Sequence, residues 1–493
     1  MSVTVDPIAD VLVIGGGPAG SSAAKLLAGW GHSVRLVKRP AGDARLAESL
    51  PPSCGKLFDA IGLRNAIDQS GFIRSTGNTV WWGSDVPRVE LFADGGRGWQ
   101  VEANALASLL LDEATRTGVT VERRVFTADE SRAPSPESRA TSPEPRSPSP
   151  DPRSPFLLDC SGRAGVLARA YGLRQYDEGP RTIALVASWH SERDWNVPDA
   201  SHTIVESYEG GWAWSVPTST QHRHIAVMVD PQRSGLTRGS AAREVYLAEM
   251  AKTREFRSLV HDATFESGPW GWDASMYHAQ RYADDGWLLA GDAGSFIDPL
   301  SSAGVKKALA SGWLAAVVTH TCLTRPEMRQ HALRFFGDRE TEIHQRFARM
   351  ARRMLADAAV GHSHRFWADR WDETHEGPLE SDGEAAEVRG AFERLRQSSV
   401  FNVRRGAGVL VEPRPAVSGS EIVLERRIVS ADRPSGIRFV RDVDVIALID
   451  LAPQYSAVPD LFDAYCRRSG PVGLPDFLRA LATTLAKGWL VSQ

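Results

Sequence analysis

Apolar runs and small-residue stretches follow one another along the first forty residues in an order that predicts strand, helix and strand. Residues 11–14 are all apolar, residues 21–27 are mostly small or apolar, and residues 32–37 contain a second apolar run. This succession is typical of a βαβ unit, in which the two strands lie parallel in one sheet. We therefore predict such a unit over residues 9–39.

Later apolar runs predict that the same sheet is completed from distant parts of the chain. Leucines at helical spacing precede a strand at 119–125, and two further apolar strands, at 156–159 and 287–290, each end in a turn of small residues. Residues 180–280 are dominated by strand-like runs. They predict a β-rich middle domain.

Composition divides the rest of the chain. Residues 127–155 are almost entirely Ser, Pro, Arg and acidic residues, too polar to bury a core, and we predict a disordered surface insertion there. Beyond residue 400, short helical pieces followed by a helix and an apolar strand look like a small winged-helix module. The predicted divisions are a nucleotide-binding domain in two parts, 1–180 and 281–372, a β-rich substrate domain at 181–280, a linker at 373–399 and a C-terminal module at 400–493.

The net charge of −4 over 493 residues limits the partners that we expect. The chain has no basic field for nucleic acid or a membrane surface, and neither a leader-like start nor an apolar run of about 20 residues. We therefore expect a cytoplasmic protein. The four cysteines are scattered and form no CxxC pair, so we expect reduced thiols and no metal site.

Three glycines between the first strand and the first helix carry the clearest chemical signal. Gly15, Gly17 and Gly20 form a Gly-x-Gly-x-x-Gly pattern. The first allows a tight turn, the second lets the backbone approach a pyrophosphate, and the third lets helix and strand pack closely. The positive end of the helix, which begins near Pro18 and Ala19, then holds the phosphates. The alternative is a glycine-rich turn that binds nothing.

Two further turns, Asp159-Cys-Ser-Gly162 and Gly291-Asp292-Ala293, follow later strands. In order and spacing, the three segments resemble the FAD-binding half of the p-hydroxybenzoate hydroxylase-like flavoproteins over residues 9–320. The resemblance implies FAD as the cofactor, with Asp292 at its ribityl or pyrophosphate end. Lys38 departs from the pattern, because an acidic residue usually ends the second strand and binds the ribose. Either the ribose is held otherwise or FAD binds weakly.

Three shorter motifs narrow the resemblance to flavin-dependent halogenases. Residues 212–217 match their W-x-W-x-I-P motif with valine in place of isoleucine, and residues 296–304 match their F-x-x-P-x-x-S-x-G segment. Glu48 and Ser49 begin a stretch like their E-S-x-x-P sequence beside the isoalloxazine. With the elements above, the resemblance implies an α/β fold: a three-layer Rossmann-like FAD-binding domain, a β-rich substrate domain and a C-terminal helical, winged-helix-like module.

One residue that such halogenases use is missing. Their lysine, which captures the oxidised halogen, belongs to a G-F-x-x-K-x-G pattern, and here its position is Ser75, next to Arg74. Serine cannot form a haloamine, and a guanidinium is a poor nucleophile. The nearest lysine is Lys56, and Ser301 stands where tryptophan halogenases place a glutamate. In this respect the chain is similar to halogenase-like flavoproteins that oxygenate a tryptophan of a precursor protein during quinone cofactor biogenesis.

The resemblance therefore implies an FAD-dependent monooxygenase that hydroxylates an electron-rich aromatic ring, such as a peptidyl tryptophan, through a flavin C4a-hydroperoxide formed with O2. No second Gly-x-Gly-x-x-Gly is present for a nicotinamide cofactor, so a separate flavin reductase is implied. Two alternatives stay open. One is a halogenase of an indole, phenol or pyrrole that uses another lysine such as Lys56. The other is a non-catalytic flavoprotein that binds a peptide.

These motifs give the candidate site residues. For each of them the alternative is a purely structural role. Asp298 or His278 is a candidate general base, and Ser301 and Ser302 lie in the segment expected beside the reactive edge of the flavin. Four tryptophans in close pairs predict a pocket for a flat aromatic group: Trp81, Trp82, Trp212 and Trp214. The predicted cofactor-binding residues are Gly15, Gly17, Pro18, Ala19, Gly20, Lys38, Glu48, Ser49, Asp159, Gly162, Gly291, Asp292, Pro299 and Gly304.

Overall fold

Two compact units, residues 1–372 and 373–493, make up the chain in a computed structural model. The structure describes residues 9–40, 42, 46–127, 130, 155–236, 241–370, 380–397, 401–430 and 433–492. Most of the predicted disordered insertion at 127–155 lies outside these residues. Among the described residues, no helix has both the length and the apolar character needed to cross a bilayer.

A six-stranded, mostly parallel sheet forms the centre of the first unit. Its strands are β1 (Val11–Ile14), β2 (Val34–Lys38), β8 (Thr120–Arg123), β9 (Phe156–Asp159), β17 (Ala283–Asp284) and β18 (Trp287–Leu289). Their spatial order is β17-β18-β9-β1-β2-β8, with β17 antiparallel to β18 and the other pairs parallel. Parallel pairing places the carboxyl ends of β1, β9 and β18 at one edge, where nucleotides bind in open α/β sheets.

A seven-stranded, largely antiparallel sheet forms the β-rich part of the same unit. Its strands are β5 (Gly77–Trp81), β6 (Arg88–Leu91), β11 (Ile183–His190), β12 (Thr203–Tyr208), β13 (Gly211–Pro217), β14 (His222–Val229) and β15 (Thr264–Asp273). Their order is β15-β11-β14-β13-β12-β5-β6, and β12 with β5 is the parallel pair. Strands β5 and β6 come from residues that the sequence assigned to the nucleotide-binding domain.

Two smaller sheets and ten helices complete this unit within the described residues. The sheets are a three-stranded one, β3 (Ala47–Leu50), β7 (Gly98–Glu102) and β4 (Ile73–Ser75), and a two-stranded ribbon, β10 (Arg174–Tyr176) with β16 (Tyr277–Ala279). The helices are α1 (Pro18–Gly29), α2 (Cys54–Ile61), α3 (Arg64–Asp68), α4 (Ala103–Arg116), α5 (Val166–Ala170), α6 (Ala242–Lys252), α7 (Glu255–Leu259), α8 (Gly304–Thr324), α9 (Arg329–Ala359) and α10 (Arg365–Ala368).

The second unit has its own apolar core, in which helices pack with strands of three small sheets among the described residues. The helices are α11 (Glu380–Gln397), α12 (Val445–Leu451), α13 (Val458–Ser469) and α14 (Leu474–Ala486). The strands are β19 (Val403–Arg405), β20 (Leu410–Ser418), β21 (Glu421–Ser430), β22 (Arg433–Ile437), β23 (Phe439–Val440), β24 (Val443–Asp444) and β25 (Leu490–Ser492). Helix α11 lies in the predicted linker at 373–399, because the Ala, Glu and Arg of that polar stretch are also good helix formers.

Candidate flavin-binding site

The first glycine turn follows β1 and leaves no room for side chains at two of its glycines. Gly15 has a φ of +108°, and a Cβ there would lie 2.2 Å from the carbonyl oxygen of Cys160. A Cβ on Gly20 would lie 1.9 Å from the carbonyl oxygen of Gly15. At Gly17, by contrast, a Cβ would meet nothing within 4 Å. Gly15 and Gly20 serve packing, whereas Gly17 borders open space where a ligand can approach the backbone.

Helix α1 begins on this turn with an uncapped N-terminus. Gly17 is the N-cap, Pro18 stands in the first turn, and neither a capping side chain nor an acidic residue occupies that turn. The N–H groups and partial positive charge of the helix end are therefore available to an anion. Lys38, at the end of β2, packs its side chain against Gly16. These features fit a pyrophosphate held mainly by the backbone.

The turn after β18 closes against α1 and α8. Gly291 has a φ of +63°, and its N–H donates to Ser311 Oγ at 2.8 Å. A Cβ on Gly291 would lie 3.1 Å from the Cβ of Ala19, and one on Gly312 would lie 2.3 Å from the Ala19 carbonyl oxygen. Small residues at these points bring the first and third predicted segments into contact.

Lys307 supports this turn, although the sequence analysis did not select it as a site residue. Its side chain is fully buried and lies with Nζ 3.7 Å from Asp292 Oδ1. Its Nζ donates to the carbonyl oxygens of Gly291, at 3.0 Å, and Ser295. The signal in the sequence was a lysine within an otherwise largely apolar helix, where a buried charge needs partners.

Glu48 on β3 lies beside Asp292, so the structure brings these two predicted cofactor residues together. Burial, and then the negative charge of Asp292, raises the pKa of Glu48 to about 7. The hydroxyl of Tyr277 donates to the Asp292 carbonyl oxygen at 2.6 Å and fixes the turn from the other side. Ser49 follows Glu48 on β3 and is partly buried. A hydroxyl-bearing ligand suits this place better than an anion does.

Asp159 makes different contacts from those expected. One of its carboxylate oxygens accepts hydrogen bonds from the N–H and Oγ of Ser161, and the other accepts from the Leu167 N–H at 2.7 Å. The side chain is fully buried and holds its own turn in place. The prediction that Asp159 binds the cofactor is corrected accordingly. Gly162, with a φ of +64°, is partly buried and has open space at its Cβ position.

The segment expected at the reactive edge of the flavin is a short 3-10 helix, Pro299–Ser301, that leads into α8. Asp298 caps it by accepting from the Leu300 N–H at 2.9 Å, and burial raises the pKa of Asp298 to about 6. Ser301 Oγ donates to the Asp298 carbonyl oxygen at 2.9 Å. Ser302 has a φ of +46°, which is strained for a residue with a side chain and is found most often at functional sites.

Helix α8 begins just after this strained residue. Its first residue, Gly304, has open space at its Cβ position, and no side chain caps the helix. The helix is 21 residues long, so its N-terminal N–H groups offer a second place where negative charge is stabilised.

His278 does not belong to this site. It follows Tyr277 on β16, and successive strand residues point to opposite faces. Tyr277 faces Asp292, whereas the His278 ring faces α9, where its Nδ1 lies 2.9 Å from Asp177 and its ring is 4.9 Å from that of His344. The ring of His278 is thus engaged by Asp177 on the side opposite Tyr277, which speaks against the predicted role of general base toward an aromatic substrate.

The four predicted pocket tryptophans fall into two groups. Trp81 packs on the face of the seven-stranded sheet that carries α6 and α7, whereas Trp82, Trp212 and Trp214 belong to the opposite face. Because successive residues along a strand point to opposite faces of the sheet, Trp81 and Trp82 lie on different faces. A single pocket lined by all four is therefore excluded.

The second face of the sheet forms an aromatic cluster that reaches the 298–304 segment. Trp82 lies edge-to-face with Trp212, at 6.2 Å, and with Trp367 of α10, at 5.6 Å. Leu300 is buried in the same cluster. Trp212 is only 3% exposed and belongs to the core, and the partly buried Trp82 packs against it and donates its indole N–H to the Met354 carbonyl oxygen. Trp214 is partly exposed, and its buried Nε1 has no partner among the described residues.

The position of the missing lysine lies on β4. Ser75 is buried, and its Oγ donates to the Gly77 carbonyl oxygen at 3.0 Å. Arg74 is paired with Asp68 at 3.0 Å and stacks over the Trp99 ring at 4.2 Å. Neither side chain presents a free amine.

This sheet, its glycine turns and the open space beside Gly17 define a nucleotide-binding flavoprotein fold. Residues 8–313 match the family described as FAD binding domain, and the chain belongs to that family. It has an FAD-binding domain and a halogenase-like fold, which confirms the fold class and the cofactor expected from the sequence.

The relatives are halogenases by name. The chain is 30% identical over 314 residues to "Tryptophan 2-halogenase" of Chondromyces crocatus, covering 62% of this chain and 60% of that protein. It is 27% identical to "Flavin-dependent halogenase armH3" of Armillaria mellea, over 70% and 74% of the two chains. The chain thus spans about three fifths of the length of the first of these relatives.

Two solved structures share the fold over nearly the whole chain. One is described as CmlS, a flavin-dependent halogenase, with a TM-score of 0.76, 22% identity and coverage of 98% of this chain and 96% of that one. The other is QhpG, described as a peptidyl tryptophan dihydroxylase essential for tryptophylquinone cofactor biogenesis, with a TM-score of 0.64, 22% identity and coverage of 97% and 100%.

Proposed function

We propose that this chain is an FAD-dependent monooxygenase that hydroxylates an electron-rich aromatic ring, and that a tryptophan within a peptide is its substrate. The observation that carries the proposal is the halogenase lysine position. Ser75 stands there, buried and hydrogen-bonded to a backbone carbonyl oxygen. Halogen transfer through a side-chain amine then has no donor at the usual place.

The other lysines support this interpretation. The sequence has seven, and all fall in the described part of the chain. In the first unit, Lys25, Lys252 and Lys307 form hydrogen bonds or ion pairs, and Lys38 packs against Gly16. Lys487 belongs to the second unit. Lys56, exposed on α2, and Lys306, near the Cys54 thiol, are the two that remain.

Bound FAD supplies the reactivity toward O2, and the chain's own residues would position the reactants. The backbone at Gly17 and the start of α1 would hold the pyrophosphate. The start of α8, just after Ser302, would stabilise negative charge at the reactive edge. Asp298, with a pKa raised to about 6, would accept the proton of a phenol or indole there. A separate flavin reductase would deliver the reduced cofactor.

A halide-dependence assay tests the proposal. The full-length protein, reduced FAD and O2 are incubated with a tryptophan-containing peptide, with and without bromide, and the product mass is read. We expect addition of oxygen atoms, unchanged by bromide, and no reaction with the matched peptide in which phenylalanine replaces tryptophan. A brominated product would overturn the hydroxylase proposal. Oxygen consumption without any product would instead exclude only this substrate.

Halogenation is the second candidate, because the names of the relatives favour it, Lys56 is exposed and Lys306 is partly exposed. The variants Lys306→Met and Lys56→Met separate the two candidates. If bromination is found and Lys306→Met abolishes it while Lys56→Met does not, Lys306 is the relay. If neither variant changes hydroxylation, no lysine amine takes part.

A further inference from the structure

A compact group of one carboxylate and two imidazoles lies behind the ribbon that supports the Gly291 turn. Asp177 contacts both histidines through different oxygens: one lies 2.9 Å from His278 Nδ1 and the other 3.1 Å from His344 Nε2. The two imidazole rings are 4.9 Å apart. One ligand atom from each of the three side chains falls within 4.8 Å of the other two.

The strand register explains why these residues meet. In the β10–β16 ribbon, Gln175 pairs with His278, and Asp177 lies two residues beyond Gln175. Residues two apart on a strand, and residues directly opposite across a pair, share a face. Asp177 and His278 therefore point to one side, across which α9 runs and places His344. The Tyr277 side of the ribbon is the one that bonds to Asp292.

We propose that Asp177, His278 and His344 bind a divalent transition-metal ion, with Zn2+ as the best match. Two imidazole nitrogens and one carboxylate oxygen are ordinary Zn2+ ligands, at bond lengths of about 2.0–2.2 Å. Such bonds in a tetrahedron separate neighbouring ligand atoms by about 3.4 Å. The separations of 2.9 and 3.1 Å, each to a different oxygen of Asp177, are a few tenths of an ångström shorter, so a small side-chain rotation would admit the ion.

The surroundings of His344 point to the same occupant. The ring is buried, and its Nδ1 has no hydrogen-bond partner among the described residues. If Nε2 binds a metal ion, Nδ1 carries the proton and needs an acceptor, which in metal sites is commonly a carboxylate. Glu340 lies one helical turn earlier on the same face of α9, fully buried and close to Lys307 and Ser311. It can serve as that acceptor directly or through water.

The accessible side of the cluster is His278, which is about a third exposed, so an ion can enter from solvent and keep a water as its fourth ligand. A bound ion would tie α9 to the ribbon. Because the other face of the ribbon holds the Asp292 carbonyl oxygen through Tyr277, this tie would support the flavin turn. The site is thus assigned a structural role, separate from the proposed oxygenation.

Metal titration of the full chain tests the proposal. After dialysis against chelator, Zn2+ binding is measured by competition with a chromophoric chelator, and Co2+ binding by its visible absorption. We expect one tight site per chain and d–d bands typical of nitrogen and oxygen ligands. The variants His344→Ala and Asp177→Asn should weaken binding at least about 100-fold.

Two control variants guard against nonspecific binding. His331→Ala removes an exposed histidine from the same helix, and His320→Ala breaks a separate histidine pair, in which His32 Nε2 lies 2.8 Å from His320 Nδ1. Both should keep the tight site. Zn2+ should also raise the Tm of the wild type and of these controls, but not of His344→Ala. If the wild type lacks a one-to-one site, or His344→Ala binds as tightly, the three side chains are a hydrogen-bonded cluster and the proposal fails.

Discussion

Two regions of the first unit are built in opposite ways: the flavin cradle, formed by the turns at Gly15–Gly20 and Gly291, and the aromatic cluster of Trp82, Trp212 and Trp367. The cradle is made of backbone: Gly15, Gly20 and Gly291 allow close approach, and Gly17 leaves space for a ligand. The cluster is made of large side chains from separate elements, with Trp82, Trp212 and Trp367 in edge-to-face contact. Cofactor recognition here depends on the absence of side chains, and the neighbouring face depends on their bulk.

The difference separates two kinds of mutational effect. Changes in the cluster should act on stability, because its rings fill the core, and changes in the cradle should act on FAD affinity. Lys307 is the residue at which both effects should appear together, since it is buried in the core and bonded to the Gly291 turn.

The largest effect is expected in the aromatic cluster. Trp212→Ala should lower the free energy of unfolding by about 3–5 kcal/mol, because it removes an almost fully buried indole. FAD affinity of the remaining folded protein should change less than about threefold. Denaturant unfolding and flavin fluorescence titration measure the two quantities. Trp270→Ala, in the half-buried edge strand β15, is the control and should lower the free energy of unfolding less. A large loss of FAD affinity in Trp212→Ala would contradict the idea that the cluster acts on stability alone.

Lys307→Met should combine both effects. It keeps the length of the side chain but leaves two carbonyl oxygens and the buried Glu340 without their cation, at a cost of about 3 kcal/mol. The same variant should weaken FAD binding about tenfold or more by loosening the Gly291 turn. The neighbouring Lys306→Met, which is partly exposed, serves as the matched control. If the Lys307→Met protein is destabilised but its FAD affinity is unchanged, Lys307 stabilises the core and does not support FAD binding.

Gly17→Ala tests the cradle by itself. A Cβ there meets nothing in the protein, so the Tm without FAD should change by no more than about 1 °C. It should nevertheless weaken FAD binding about 100-fold, roughly 2.7 kcal/mol, by blocking approach to the backbone. Gly337→Ala has equally open surroundings on α9 and should leave FAD affinity unchanged. Equal affinity in Gly17→Ala and the wild type would place the pyrophosphate elsewhere.

The smallest effect is a pH dependence carried by Glu48. Because burial and Asp292 raise its pKa from 4.5 to about 7, the folded protein keeps a proton there that the unfolded chain loses. Stability should therefore fall as the pH rises from about 4.5 to 7 and level off above. Glu48→Gln should lose on the order of 1–2 kcal/mol of this dependence, while exposed Glu192→Gln should keep it. Thermal unfolding without FAD at pH 5 and pH 8 measures the difference.

Much of the cradle could be predicted from the sequence, because its signals are local. A strand, a glycine turn and a helix lie within thirty residues, and each glycine has a steric reason that depends on near neighbours. The role of Asp159 was misjudged because its partners, Ser161 and Leu167, are equally local but compete with the cofactor for the carboxylate. Sequence spacing does not show whether the carboxylate binds these local donors or the cofactor.

The sequence by itself determined the βαβ unit, the FAD family and the loss of the halogenase lysine, since these depend on residue type and short-range spacing. Tertiary structure alone decided that Trp81 and Trp82 face opposite ways, that Lys307 supports the Gly291 turn, and that His278 joins Asp177 and His344. Those juxtapositions arise from strand register and helix packing between distant segments. A contact of that kind leaves no periodic mark in the chain, so its residues become a group only after folding.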